Sequence, residues 1–322
     1  MERPEFSKLR IQQEIAAQVP SLDGVRRSYL AKLAKLTGRT VVLYAMKSPF
    51  GSIESGDLEG FMCALQGMTN PQLDLVIYSP GGNVDAAEQV ANYLRAKFQF
   101  IRAIVPLHAF SAATMLACAA DEIVMGKQSA LGPIDPQFLT SQGSIPAHAI
   151  IKEFDSAIEA VKADPNAASF WVPRLHNLPH GFYHTAKQAI DRSKILVGQW
   201  LATYMKLRSE EAIAVAEWLA SPDHLSHGRP ISLTEAREKG LNVSALEESQ
   251  DLQDLVLAVF HATMLTFEST RCIKFVENHC GIGSYFFQPQ VVPQVPQPSS
   301  PRSFDGTFLA LAMMGRDQKA RQ

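Results

Sequence analysis

Cysteine is scarce in this chain, with four residues among 322 at positions 63, 118, 272 and 280. So few, so widely spaced, exclude a disulfide framework, and the absence of a CxxC pair around Cys272, His279 and Cys280 removes the usual zinc pattern. Cys63 and Cys118 lie in apolar patterns where a reduced thiol packs as a small hydrophobe, so a reducing compartment is expected. An excess of charge of one sign is also missing. Thirty basic against thirty-two acidic residues give a formal net charge of -2, which provides no positive field for nucleic acid. No apolar run reaches the length of a membrane span, and the opening MERPEFSKLRIQQEIAAQVP breaks its apolar residues with charges where a signal peptide would keep them together. The expectation is a cytoplasmic protein. No internal repeat is visible.

What is present is enough apolar material, 46% of residues, for one large domain with appendages. Residues 1–38 read as a helical arm, with Leu30, Leu33 and Leu36 at helical spacing. From residue 39 to 243 short apolar runs, such as 41–46, 73–78, 101–105 and 122–125, alternate with helical patterns at 57–67 and 84–98. Strands alternating with helices predict an α/β domain with largely parallel strands. The second half reads as mostly helical, over 147–163, 183–207, 210–220 and 245–276, so residues 244–287 form an expected C-terminal helical extension. Residues 288–322 concentrate Pro, Gln and Ser and read as a flexible tail.

Two strand-to-helix turns carry the chemistry. In IYSPGGNVDAAEQV, the Gly81–Gly82 pair leaves consecutive peptide N–H groups uncovered, as an anion cradle requires; the plainer reading is a tight connection with Gly82 or Asn83 capping the next helix. In AFSAATMLACAADEIVMG, Ser111 opens a helix of small residues, either as an N-cap or as a nucleophile whose oxyanion the nearby N–H groups would stabilise. Other polar groupings read as structural. His176, His180 and His184 are spaced by four, but Pro179 and Gly181 interrupt the helix a shared metal face would need, and no metal or cofactor is expected. Residues 234–240 form an imperfect capping box from Thr234, with Gly240 closing the helix.

Taken in order, SPGGNV, then HAFSAATMLACAADEIVMGKQSALGPIDPQ, then HGRPISLTEAREKGLNV resemble the ClpP-like serine peptidases of the ClpP/crotonase superfamily. The resemblance is nearest to the serine dehydrogenase proteinase family, related to signal peptide peptidase A and the membrane-bound archaeal Ser–Lys proteases, and covers residues 41–243. It implies a spiral of ββα units, Ser111 as nucleophile, and an oxyanion hole from Gly81, Gly82 and Ala112. ClpP peptidases carry their histidine a short helix beyond the serine. Here His148 is the only histidine between Ser111 and Lys152, and it lies outside that place.

The Ser–Lys relatives use a lysine on a later helix instead, and Lys152, 41 residues after Ser111 within AHAIIKEF, stands there. Such a lysine must be desolvated from about 10.4 to near 7 or 8, which Ile150, Ile151 and Phe154 would favour and Glu153 and Asp155 oppose. His148, one helical turn before Lys152, is a possible auxiliary, Lys127 a rival in an exposed setting, and His227 or Asp223 possible assistants. The resemblance further implies polypeptide substrates and a homo-oligomer; it leaves open an ATPase or membrane partner. Two other classes remain: a noncatalytic assembly or adaptor protein, and an acyl-CoA enzyme of the crotonase kind, with acidic catalysts and no nucleophilic serine.

Overall fold

The computed structural model describes residues 22–140, 143–176 and 178–288. Most of the N-terminal arm (1–21) and the Pro-rich tail from residue 289 onward therefore lie outside the described residues.

Thr40–Met46 (β1) is a continuous apolar run buried along its whole length, which is how a parallel strand covered on both faces reads. It is preceded by the helix Leu22–Thr37 (α1) and followed by Asp57–Ala64 (α2), Gln72–Tyr78 (β2), Val84–Lys97 (α3), Phe100–Val105 (β3), His108–Ala109 (β4), Ala112–Cys118 (α4), Glu122–Met125 (β5) and Ala130–Leu131 (β6). A hairpin of Gln137–Thr140 (β7) and Gly143–Pro146 (β8) leads into the helices Ala147–Ala163 (α5), Ala168–His176 (α6), Phe182–Thr203 (α7), Ser209–Leu219 (α8) and Leu233–Glu238 (α9). Val243–Ala245 (β9), Gln250–Ser269 (α10), Cys272–Asn278 (β10) and Gly283–Phe287 (β11) complete the fold.

The main sheet has the order β11-β10-β1-β2-β3-β5-β9. The strands β1, β2, β3, β5 and β9 run parallel, and β10 and β11 add an antiparallel edge. Successive side chains point to opposite faces, so Val42, Tyr44 and Met46 join α2, α3, α4, α7 and α8 in one core. Val41, Leu43 and Ala45 join α1 and α10 in the other. The α/β fold class expected from the sequence is the one observed. Beyond the carboxyl ends of the parallel strands runs a second, short set of pairings: Ile53 with Gly82, Ser79 with Ala109, β4 with β6, and Leu131 with Ile231. Each long strand thus hands the chain to a short one before the next helix, the ββα unit repeated.

Several local readings differ from what forms. The helix expected over 245–276 ends at Ser269, and Cys272–Asn278 is a strand paired antiparallel with β1. Cys63 is exposed on α2, whereas Cys118 is buried and its thiol is pushed up to about 12 by burial. The helix α9 is capped by Ser232, whose side chain accepts from the Glu235 amide at 3.3 Å, rather than by Thr234; Gly240, at φ +100°, follows its end. The described part of the arm is no separate body, since Val25, Tyr29, Leu30 and Leu33 of α1 are buried against α10 and the sheet. Among the described residues no helix is long and apolar enough to cross a membrane.

Candidate active site

Ser111 is set by the two elements that flank it. The strand β4 is held on one side by Ser79, whose N–H donates to the His108 carbonyl at 3.1 Å and whose carbonyl accepts from the Phe110 amide at 3.0 Å. On the other side α4 begins at Ala112. The Thr114 hydroxyl donates to the Ala109 carbonyl at 2.7 Å and accepts from the Gly132 amide at 3.0 Å, so the turn is tied down from within the helix as well. Caught between these, Ser111 adopts φ +55° and ψ −123°, a conformation that an L-residue holds at a cost of about 1–3 kcal/mol. Its side chain makes no capping bond to α4. An N-cap would be extended and would accept from the first turn; a serine held in a strained strand-to-helix elbow instead presents its hydroxyl to the outside.

The SPGG turn lies directly against this elbow. Gly81 has φ +103°, and a Cβ there would stand 2.6 Å from the Phe110 carbonyl oxygen and 2.7 Å from Ser111 Cβ. Gly82, at φ +150°, passes equally close to Ile53, its added Cβ meeting the Ile53 nitrogen at 2.4 Å. The Gly81 amide donates to Ser79 Oγ at 3.0 Å. The amides of Gly82 and Ala112 donate to no protein acceptor among the described residues. Asn83 caps α3 by accepting from the Ala86 amide at 2.9 Å, so this turn is at once a helix cap and an uncovered stretch of backbone.

A cavity of about 660 Å³ opens in front of Ser111 and Gly82, walled by Ser52, Glu54, Asp85, Arg192 and His227 among others. Arg192 is ion-paired with Asp85 and, at 2.7 Å, with Glu88, which fixes the charged rim on the α7 side. His227 enters the wall from the loop before α9. Its Nδ1 lies 2.7 Å from Asp135 Oδ1, and the other carboxylate oxygen accepts from Gln137 Nε2 at 2.6 Å. Facing a carboxylate, Nδ1 carries the ring's proton and donates it, which leaves Nε2 of a neutral imidazole as an acceptor.

Comparison with known proteins decides the lineage. A family model described as ClpP-like SDH-type serine proteinase matches residues 50–264. The chain belongs to this family. Among curated proteins it is similar to the uncharacterized proteins MJ0137 and MJ1495 of Methanocaldococcus jannaschii, at 35% identity over 57% of this chain and 58% of the relative, and at 29% over 53% and 52%. The chain thus spans little more than half the length of these curated relatives. Among solved structures it is similar to a mutant of the 1510-N membrane-bound stomatin-specific protease, with 15% identity, a TM-score of 0.38, and coverage of 64% of this chain and 80% of that one.

Within this SDH-type frame the residues singled out from sequence fall into two groups. Ser111 and Gly82 share the cavity just described, with Gly81 and Ala112 immediately behind it. Lys152 and His148 lie on α5 and line an adjoining cavity of about 720 Å³, together with Asp223. Lys152 is exposed, and His148 is half-buried with Nε2 donating to the Ala220 carbonyl at 2.8 Å. His227 borders both cavities. Lys127 is exposed at a strand end. His176 closes α6, His180 stands in the turn and His184 is on α7. Asp135 is not among the residues that sequence reasoning singles out, although it stands in the quoted GPIDPQ; its one signal is an aspartate four residues beyond the short strand that pairs with the serine's own.

Proposed function

We propose that this chain is a serine peptidase that works through an acyl-enzyme on Ser111. The single observation that carries the reading is the backbone of Ser111 itself, a strained elbow whose hydroxyl caps nothing and faces a cavity. Ser111 Oγ attacks a peptide carbonyl lying in that cavity. The developing oxyanion takes the amides of Gly82 and Ala112, while Gly81, its own amide engaged with Ser79, lets the two turns approach. The Ser111 proton needs an acceptor, and Lys152, at the spacing of the Ser–Lys relatives, and His227, on the wall of the same cavity, are the two on offer.

Polypeptide is the proposed substrate class and a homo-oligomer the proposed assembly. Exposed Ile158, Phe170 and Val172 on α5 and α6 support the second of these. The deciding experiment combines a fluorophosphonate probe with hydrolysis of an unfolded protein substrate. Ser111 is expected to be labelled and the substrate cleaved, with both lost in Ser111→Ala. A folded wild-type protein that neither labels nor cleaves would leave the adaptor reading in possession, and protection by coenzyme A with turnover intact in Ser111→Ala would favour the crotonase one.

A further inference from the structure

We propose that His227, oriented by Asp135, is the group that takes the proton from Ser111. The inference rests on the reading of Ser111 as a nucleophile and names the acceptor which that reading leaves open.

Three adjacent short segments bring the residues together. The strand β4 pairs in parallel with β6, Ala109 opposite Leu131, and β6 pairs antiparallel with the single bridge residue Ile231. Ser111 follows the first by two residues and Asp135 follows the second by four. Extending the antiparallel register from Leu131 and Ile231 by four residues sets His227 opposite Asp135, where their side chains are in fact bonded. A nucleophile, an imidazole and a carboxylate are thus delivered by three neighbouring strand segments, two of them hydrogen-bonded directly to the next.

The bonding within the group selects a role. Asp135 is buried, and both its carboxylate oxygens are engaged, by His227 and by Gln137. It holds Nδ1–H and so fixes the tautomer whose Nε2 is bare. That nitrogen belongs to a residue on the wall of the cavity in front of Ser111. A lysine base needs an environment that strips its water; Lys152 is exposed and lines the other cavity.

In the reaction the Ser111 Oγ–H bond breaks as Oγ bonds to the carbonyl carbon, the proton passes to His227 Nε2, and the carbonyl π pair moves to oxygen. Collapse of the tetrahedral intermediate expels the amine, which takes the proton from Nε2. Water then repeats the sequence on the acyl-enzyme and restores Ser111. Asp135 takes no proton and acts as a positioning residue.

The test uses the rate at which a fluorophosphonate probe phosphonylates Ser111 in the full chain, where Oγ displaces fluoride and the same proton must leave. His227→Ala is expected to slow labelling at least ~100-fold, with added imidazole restoring part of it. His227→Gln, which keeps a donor for Asp135, supplies a second folded variant with the same loss. Asp135→Asn is expected to be slow and Asp135→Glu to recover a measurable part. Labelling of folded His227→Ala at the wild-type rate, or loss of labelling in Lys152→Met with His227→Ala unaffected, would overturn the inference while leaving Ser111 as nucleophile. If the wild-type protein refuses the probe, the nucleophile reading fails first and this inference with it.

Discussion

Ser111 separates two roles of a serine at a helix start by the sign of one substitution. At an ordinary N-cap, Ser→Gly costs a few tenths of a kcal/mol because the capping bond is lost. At Ser111 there is no such bond, and the backbone sits at φ +55°, ψ −123°, where glycine carries no Cβ penalty. Relief of about 1–3 kcal/mol of strain, less the ~0.5–1 kcal/mol that glycine loses in chain entropy, leaves a gain. Ser111→Gly is therefore expected to unfold at higher urea than wild type, by about 1 kcal/mol, while losing all probe labelling. A variant less stable than wild type would return Ser111 to the capping role. The motif around this serine was legible in the sequence because small residues and glycines mark close approach directly. Its strain was not, since it comes from β4 being pinned by Ser79 and from the tie of Thr114 to Ala109, contacts made by residues that carry no signal of their own. The Asp135–His227 pair was hidden for a related reason. It depends on one bridge between Leu131 and Ile231, too short to leave any periodicity.

Among the elements, β10 shows where local pattern misleads. CIKFVEN is buried at every position but one, so it lacks the alternation by which a half-exposed strand announces itself, and it continues an apolar helical pattern without a glycine or proline between. Its two partners make it a strand: β1, some 230 residues earlier, and β11, which follows it. Its burial includes a lysine. Lys274 Nζ lies 2.5 Å from Asp57 Oδ1 and 2.9 Å from the Ser52 carbonyl, and Asp57 Oδ2 accepts from the Tyr44 hydroxyl at 2.5 Å and the Glu54 amide at 3.0 Å. Through Ser52 this buried cluster holds the segment whose next residue, Ile53, accepts from the Asn83 amide and donates to the Gly81 carbonyl, so β10 reaches the SPGG turn by two steps. Lys274→Met leaves a buried carboxylate without its cation and is expected to cost about 3–5 kcal/mol in a urea titration, and to slow labelling of Ser111 under conditions where the variant is folded. Adding Asp57→Asn should recover much of the stability. If the double variant is as unstable as the sum of the two single ones, Lys274 and Asp57 are not coupled and do not brace the SPGG turn.

At the scale of the molecule, the two ends of the described chain close on one another. Arg26 and Arg27 of α1 both bond to the buried Glu277 of β10 at 2.7 Å, and Arg27 reaches the Tyr285 hydroxyl of β11 at 2.8 Å. Tyr285 donates to the same Glu277. What reads in the sequence as an arm at one end and an extension at the other is thereby one wall of a single unit, and nothing in either segment alone reveals it, because its charges find their partners some 250 residues away. The arrangement has a pH signature. Burial, and next the bond to the Glu277 carboxylate, push the Tyr285 phenol up to about 12 from its usual value near 10. The folded state therefore keeps a proton that the unfolded chain releases. The stabilisation is fully present below about pH 10 and is lost as the pH rises from there through 12. Urea midpoints are expected to fall over that interval, and Tyr285→Phe, weaker than wild type at pH 8, is expected to fall less steeply. Its midpoint should approach that of wild type at the alkaline end. Parallel slopes for the two proteins would mean that the phenol carries none of the alkaline loss, and that the closure between α1 and the final hairpin is held by the two arginines and Glu277 without it.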